Sequence, residues 1–202
     1  MGGGKTAGLP PNFVFSPHDK HYYAPATCHS LHYTTASYVA AAVEFLILGT
    51  GFFCFYQMSH VTGSIEGWLS VLLALITACS ALTTVLMAIG IRTERPGLLA
   101  PKLTFISLEI AFLLFWATLS IISMSVGIEF TRQMFGVFAH VWMIERDYGP
   151  IWPFNAAVVS FFTAAAAIWT RIIVQGACDF ILDKIYFSER PNVEMKSKKI
   201  DE

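Results

Sequence analysis

The sequence predicts an all-α fold, a bundle of four transmembrane helices with its N- and C-termini in the cytosol. Of its 202 residues, 55% are apolar, and the mean hydropathy is +0.57. That balance is typical of integral membrane proteins rather than soluble domains of this size. Residues 67–91 hold no charged side chain and residues 103–128 hold only Glu109. Each run exceeds the roughly 20 residues a helix needs to cross a hydrocarbon core about 30 Å thick. Between them, residues 92–102 carry Arg92, Arg95 and Lys102. So basic a connection is held in the cytosol by the positive-inside rule, and it orients every other span.

Residues 1–36 are rich in Gly, Pro, His and Tyr without a helical or strand period, which predicts a largely disordered cytosolic tail. Its opening, Met1-Gly2-Gly3-Gly4-Lys5-Thr6, fits the pattern for myristoylation of Gly2. His18, His21, Cys28, His29 and His32 follow. Cys28 and His32 have zinc-like spacing, but no second pair matches them, so the segment reads as polar chain beside the membrane and not as a metal site. Cys28 is a better candidate for palmitoylation, as is Cys178 just beyond the last span. The chain's cysteines are scattered without a CxxC pair and are expected to be free thiols.

The membrane domain, residues 37–176, divides into spans at about 37–57, 67–91, 103–128 and 152–176. The turn between the first two, residues 58–66, contains no Lys or Arg. Its brevity excludes claudin-like and tetraspanin-like proteins, which carry a long cysteine-bearing extracellular loop. Span two sets out small residues in two rows, Ser70, Ala74 and Ala78, then Ser80, Thr84 and Ala88, suited to close approach of helices in lipid. Residues 129–150 form the longest luminal segment. Phe130, Met134, Phe135, Phe138, Val141 and Trp142 recur there at mixed three- and four-residue steps, which predicts an interfacial or span-extending helix rather than a re-entrant one. Pro153 opens span four at a first-turn position, and Ala156, Ser160 and Ala164 give it a small-residue face. Residues 177–202 are read as a cytosolic tail. On this topology only Arg132 and Arg146 of the 13 basic residues lie outside the cytosol.

A net charge of −1 without a clustered basic face excludes nucleic-acid binding. No Gly-rich phosphate loop, HExxH or GxSxG motif is present, so the expectation is a non-enzyme without a cofactor. Its partners are the lipid bilayer and, beyond it, other membrane proteins or sorting adaptors. The residues that demand explanation are Glu44, Glu109 and Arg171, because an ionised side chain inside a span is costly unless paired or hydrated. Both glutamates are expected about 10 Å below the cytosolic surface. Arg171, on a span of opposite direction, comes near the same level, so a Glu–Arg–Glu cluster between spans one, three and four is expected. Such a cluster serves either as an interhelical clamp, with Arg171 snorkelling toward the headgroups, or as a site for a proton, a cation or a lipid.

Cys28-His29 before span one, Arg95-Pro96-Gly97-Leu98-Leu99-Ala100-Pro101 opening span three, and Tyr186-Phe187-Ser188-Glu189-Arg190-Pro191-Asn192-Val193-Glu194 after span four give the chain a likeness to a known family. Over about residues 25–195 it resembles the lysosome-associated four-transmembrane proteins. The resemblance implies an endosomal or lysosomal membrane protein that helps traffic cargo or modulates small-molecule and lipid handling, the plasma membrane being the other location to consider. The Pro-Pro-x-Tyr motifs common in that family's cytosolic tail are missing, and Tyr186 is followed by Glu189 where a tyrosine sorting signal needs a bulky apolar residue. Glu94 with Leu98 and Leu99 fits an acidic dileucine pattern, although the same leucines also suit the start of span three. Two other roles fit the residues: a small transporter or channel subunit using Glu44 and Glu109, and a MARVEL-like organiser of membrane domains.

Overall fold

A computed structural model describes residues 16, 19–61, 63 and 65–189. Among these the fold is helical, with only two isolated β-bridges, Tyr23 to His32 and Ile65 to Ala139. The helices are α1 (Tyr33–Tyr56), α2 (Gly67–Arg92), α3 (Ala100–Val126), α4 (Ile128–Phe135), α5 (Val141–Tyr148) and α6 (Trp152–Glu189). Helices α1, α2, α3 and α6 are long and apolar enough to cross a membrane, and the chain is a multi-pass membrane protein on that criterion. Most of their Leu, Ile, Val and Phe side chains point outward. In lipid that exposure is solvation, since the tails are as apolar as the side chains.

Two ends of the bundle differ. At the turn end, α2 passes through the short 3-10 helix Pro96–Leu98 into α3. Here Ala41, Met87, Ile91, Leu99, Val174, Ala177 and Ile181 form the largest buried cluster. Gly90 makes the turn possible: a Cβ there would come 2.7 Å from Leu99 Cδ1 and 2.9 Å from Leu98 Cβ. At the opposite end α4 and α5 form a cap over the mouth of the bundle, entered through Gly127 at φ 125° and left through Gly149 at φ 78°, conformations that favour glycine. Phe135 of α4 wedges between Trp116 of α3 and Trp152 of α6, with ring centroids 5.3 and 5.1 Å away. The interfacial helix expected over residues 129–150 is thus two short helices. They are broken at Gly136, where a Cβ would meet the Arg132 carbonyl.

Two sequence expectations need correction. The expected disordered tail of residues 1–36 is structured from Asp19 onward. Residues 19–32 fold as a strap of two 3-10 helices, Lys20–Tyr22 and Pro25–Thr27, laid along α6. Tyr22 is buried, its hydroxyl donates to Asp183 Oδ2 at 3.1 Å, and its ring meets Phe180 edge-on. The strap's apolar side chains were too few and too irregular to show a period, but they have a ready surface on α6. The second correction concerns Gly176, expected to end span four. Helix α6 continues through it to Glu189, because this glycine marks a close approach: a Cβ on it would collide with the Tyr33 ring. At 1.5 Å per residue the 38 residues of α6 measure about 57 Å, well beyond the hydrocarbon thickness.

Candidate functional site

Three helices of the bundle bring their polar side chains together at one point. Lys102, in the first turn of α3, is completely buried, and its ammonium pairs with Oε1 of Glu44 on α1. The same oxygen accepts hydrogen bonds from Ser80 Oγ at 2.8 Å and Thr84 Oγ1 at 3.0 Å, both buried on α2. Ser80 and Thr84 are one helical turn apart, so both hydroxyls face α1. An ammonium left alone in this interior would cost several kcal/mol. Within the clamp, the carboxylate charge, two hydroxyl dipoles and the ammonium compensate one another, and α1, α2 and α3 are tied at one level.

The second oxygen of Glu44 is buried without a hydrogen-bond partner among the described residues. Beside the clamp lies a cavity of about 40 Å³ between α1, α3 and α6, lined by Glu44, Glu109, Thr163 and Thr170. That volume is enough to admit water. Lys102, Ile106 and Glu109 stand at i, i+4 and i+7 on α3 and therefore share a face. The arrangement can hold a proton or a bridging water between two carboxylates, next to an ammonium that balances one negative charge.

Glu44 and Glu109 line one cavity, but Arg171 does not join them. It lines a separate, open groove with Leu103, Thr104, Ser107, Gln175, Cys178 and Asp179. The expected Glu–Arg–Glu cluster is corrected to Glu44–Lys102 with Glu109 alongside. The register of α6 explains the change: Thr163, Ala166, Ala167 and Thr170 face the cavity beside Glu44 and Glu109, whereas Arg171, Gln175 and Cys178 lie on another face of the same helix and line the groove. Sequence reasoning missed Lys102, counting it as a charge of the turn. It also took Ser80 and Thr84 for packing residues, when their hydroxyls are the donors. The readable signal was the i, i+4, i+7 register of Lys102, Ile106 and Glu109.

The leucines of the acidic dileucine pattern stand at the entry to α3. Leu99 is 0% exposed within the turn-end core, Leu98 is half-buried, and Glu94 is paired with Lys184 of α6. Of the three residues, only Leu99 is enclosed by the bundle, and Glu94 is exposed. Of the candidate lipidation sites, Cys28 is exposed in a left-handed backbone turn at φ 53°. Cys178 is partly covered against the turn-end core, and Gly2 lies outside the described residues.

No family model matches this chain, and no solved structure matches it. Among curated proteins, Protein cuti-1 of Caenorhabditis elegans is 62% identical over 192 residues, which cover 95% of each chain. Identity of that extent, over nearly the whole length of both, marks common descent with a shared fold.

Proposed function

We propose that this chain, which belongs to the family of Protein cuti-1, is a non-enzymatic scaffold of endosomal and lysosomal membranes that holds cargo proteins or lipids. The observation that carries the reading is the closed clamp: Glu44 Oε1 is engaged by Lys102, Ser80 and Thr84. The most expensive charges in the membrane interior are thereby used to fasten helix to helix, and the apolar outer faces of α1 and α2 stay available for lateral contacts. The organelle rests on the resemblance to the lysosome-associated four-transmembrane proteins. Both termini are assigned to the cytosol, on the distribution of basic residues.

A transporter or channel subunit is the second reading, favoured by the cavity that Glu44 and Glu109 share. A MARVEL-like organiser of membrane domains would use the same rigid bundle on other membranes. Two experiments separate these. A tagged full-length chain is located in cells and purified with its neighbours, and the purified chain alone is placed in sealed liposomes. Endosomal residence, reproducible co-purifying membrane proteins and no proton or cation flux are expected. Flux from the chain alone that Glu109→Gln abolishes would contradict the scaffold and establish transport.

A further inference from the structure

The open groove between α3 and α6 is unused by the clamp, and we infer that it is a binding site for the headgroup of a primary-amine phospholipid, phosphate on Arg171 and ammonium on Asp179. This deepens the lipid-holding part of the proposed function and rests on that part alone.

Position along α6 comes first. Trp152 begins this helix at the cap end, and Arg171 lies 19 residues on, about 28 Å at 1.5 Å per residue. A hydrocarbon core is about 30 Å thick, so Arg171 stands where acyl chains give way to headgroups. Gln175 follows one turn later and Asp179 two turns later, farther into the headgroup layer. Leu103, Thr104 and Ser107 of α3 complete the groove, whose volume is about 450 Å³.

Charge comes second. Arg171 is exposed and makes no hydrogen bond or ion pair among the described residues. A guanidinium at the edge of a hydrocarbon layer calls for an anion, and its planar fork of donors matches two phosphate oxygens. Asp179 is likewise exposed and without a hydrogen bond or ion pair among the described residues. The two residues contribute opposite charges to one groove, so an overall neutral headgroup with a phosphate and an amine complements it better than a purely anionic one. An ammonium bearing N–H groups donates to the Asp179 carboxylate, whereas a quaternary ammonium has no N–H to donate. On α3, which runs inward from the turn end, Ser107 is the deepest of the groove residues, at the level where the glycerol esters would lie.

The test uses the full chain in detergent micelles, titrated with phosphatidylethanolamine or phosphatidylcholine of identical acyl chains and read by native mass spectrometry. A charge-assisted hydrogen bond to Asp179 should make the ethanolamine lipid bind about tenfold more tightly. Asp179→Asn should erase that preference by weakening phosphatidylethanolamine about tenfold more than phosphatidylcholine. Arg171→Gln should weaken both lipids, and Arg171→Lys should weaken them less. Arg171→Lys also serves as the reading if Arg171→Gln does not fold. Equal binding of the two lipids to the wild-type chain, or unchanged binding after substitution of Arg171, would overturn the site. Soluble glycerophosphoethanolamine competes at the same groove: if it displaces the lipid at equal concentration, the membrane source is overturned and the ligand is a free phosphate ester. Co-purifying partner proteins retained in a chain without lipid preference would sink this inference and leave the scaffold standing.

Discussion

Two ion pairs at opposite ends of the bundle show how place decides what a charge is worth. At the turn end Lys102 and Glu44 meet in the interior, with Ser80 and Thr84 on the same carboxylate oxygen. At the cap end Arg132 of α4 reaches Glu145 of α5, Nη2 to Oε2 at 2.7 Å, with Glu129 3.3 Å from Nη1. Its fork geometry is the better of the two, yet Arg132 is exposed, and water or headgroups can replace either partner. Among the described residues no second cation pairs with Glu44. The interior pair holds the bundle, while the cap is held by Phe135 between Trp116 and Trp152, and its ion pair only joins two short helices.

The contrast is sharpest when one member of the interior pair is removed. Lys102→Ala should cost about 3–5 kcal/mol of stability, since it strands a buried carboxylate, read from thermal or denaturant unfolding in detergent. Gly176→Leu tests whether the neighbouring helix contact is as tight as the clamp. Overpacking against Tyr33 should cost about 1–3 kcal/mol, with partial recovery in Gly176→Leu/Tyr33→Ala by the same measurement. Tyr22→Phe removes the hydroxyl that holds the strap to Asp183 and should loosen it by about 1 kcal/mol, seen as faster hydrogen exchange over residues 19–32.

That strap has a pH dependence of definite sign. Burial, chiefly, and then the Asp183 carboxylate hold the Tyr22 phenol above its ordinary range. The folded state therefore favours the neutral phenol. Its contribution is fully present below the unfolded value of about 10 and is lost as pH rises beyond it toward the higher folded value. The protection of residues 19–32 relative to intrinsic, base-catalysed exchange should fall above about pH 10, and Tyr22→Phe should remove that fall. The smallest effect is expected at the cap: Arg132→Gln should leave the unfolding midpoint within measurement error of the wild type and remove what salt dependence that midpoint has. A loss matching that of Lys102→Ala would collapse the distinction between the two ends.

How much of this was legible in the sequence follows from the physics of each region. The four long helices were readable because a span must hide its backbone and show apolar side chains over some 20 residues, which leaves a long unbroken run. The length of α6 was not, because Gly176 has the same letter whether it ends a helix or lets Tyr33 approach one. At the site, Glu44 and Glu109 stood out as isolated charges in apolar runs. Lys102 did not, since it follows Pro101 at the edge of a run and looks like part of a basic turn; its long aliphatic stem carries the ammonium inward. Ser80 and Thr84 were ambiguous for a related reason, as small side chains serve close packing and hydrogen bonding alike. The strap escaped notice because Tyr22 and Ala24 gain their burial from α6, far away in sequence.

The most direct measurement is a double-mutant cycle on the interior pair, comparing the unfolding free energies of the wild type, Glu44→Gln, Lys102→Met and the double variant in the same detergent. If the pair locks α1 to α3, each single variant loses stability and the double variant recovers much of it, with a coupling of about 2 kcal/mol or more. Additive losses with no recovery would mean that Glu44 and Lys102 act separately, and the clamp would not be what holds this bundle together.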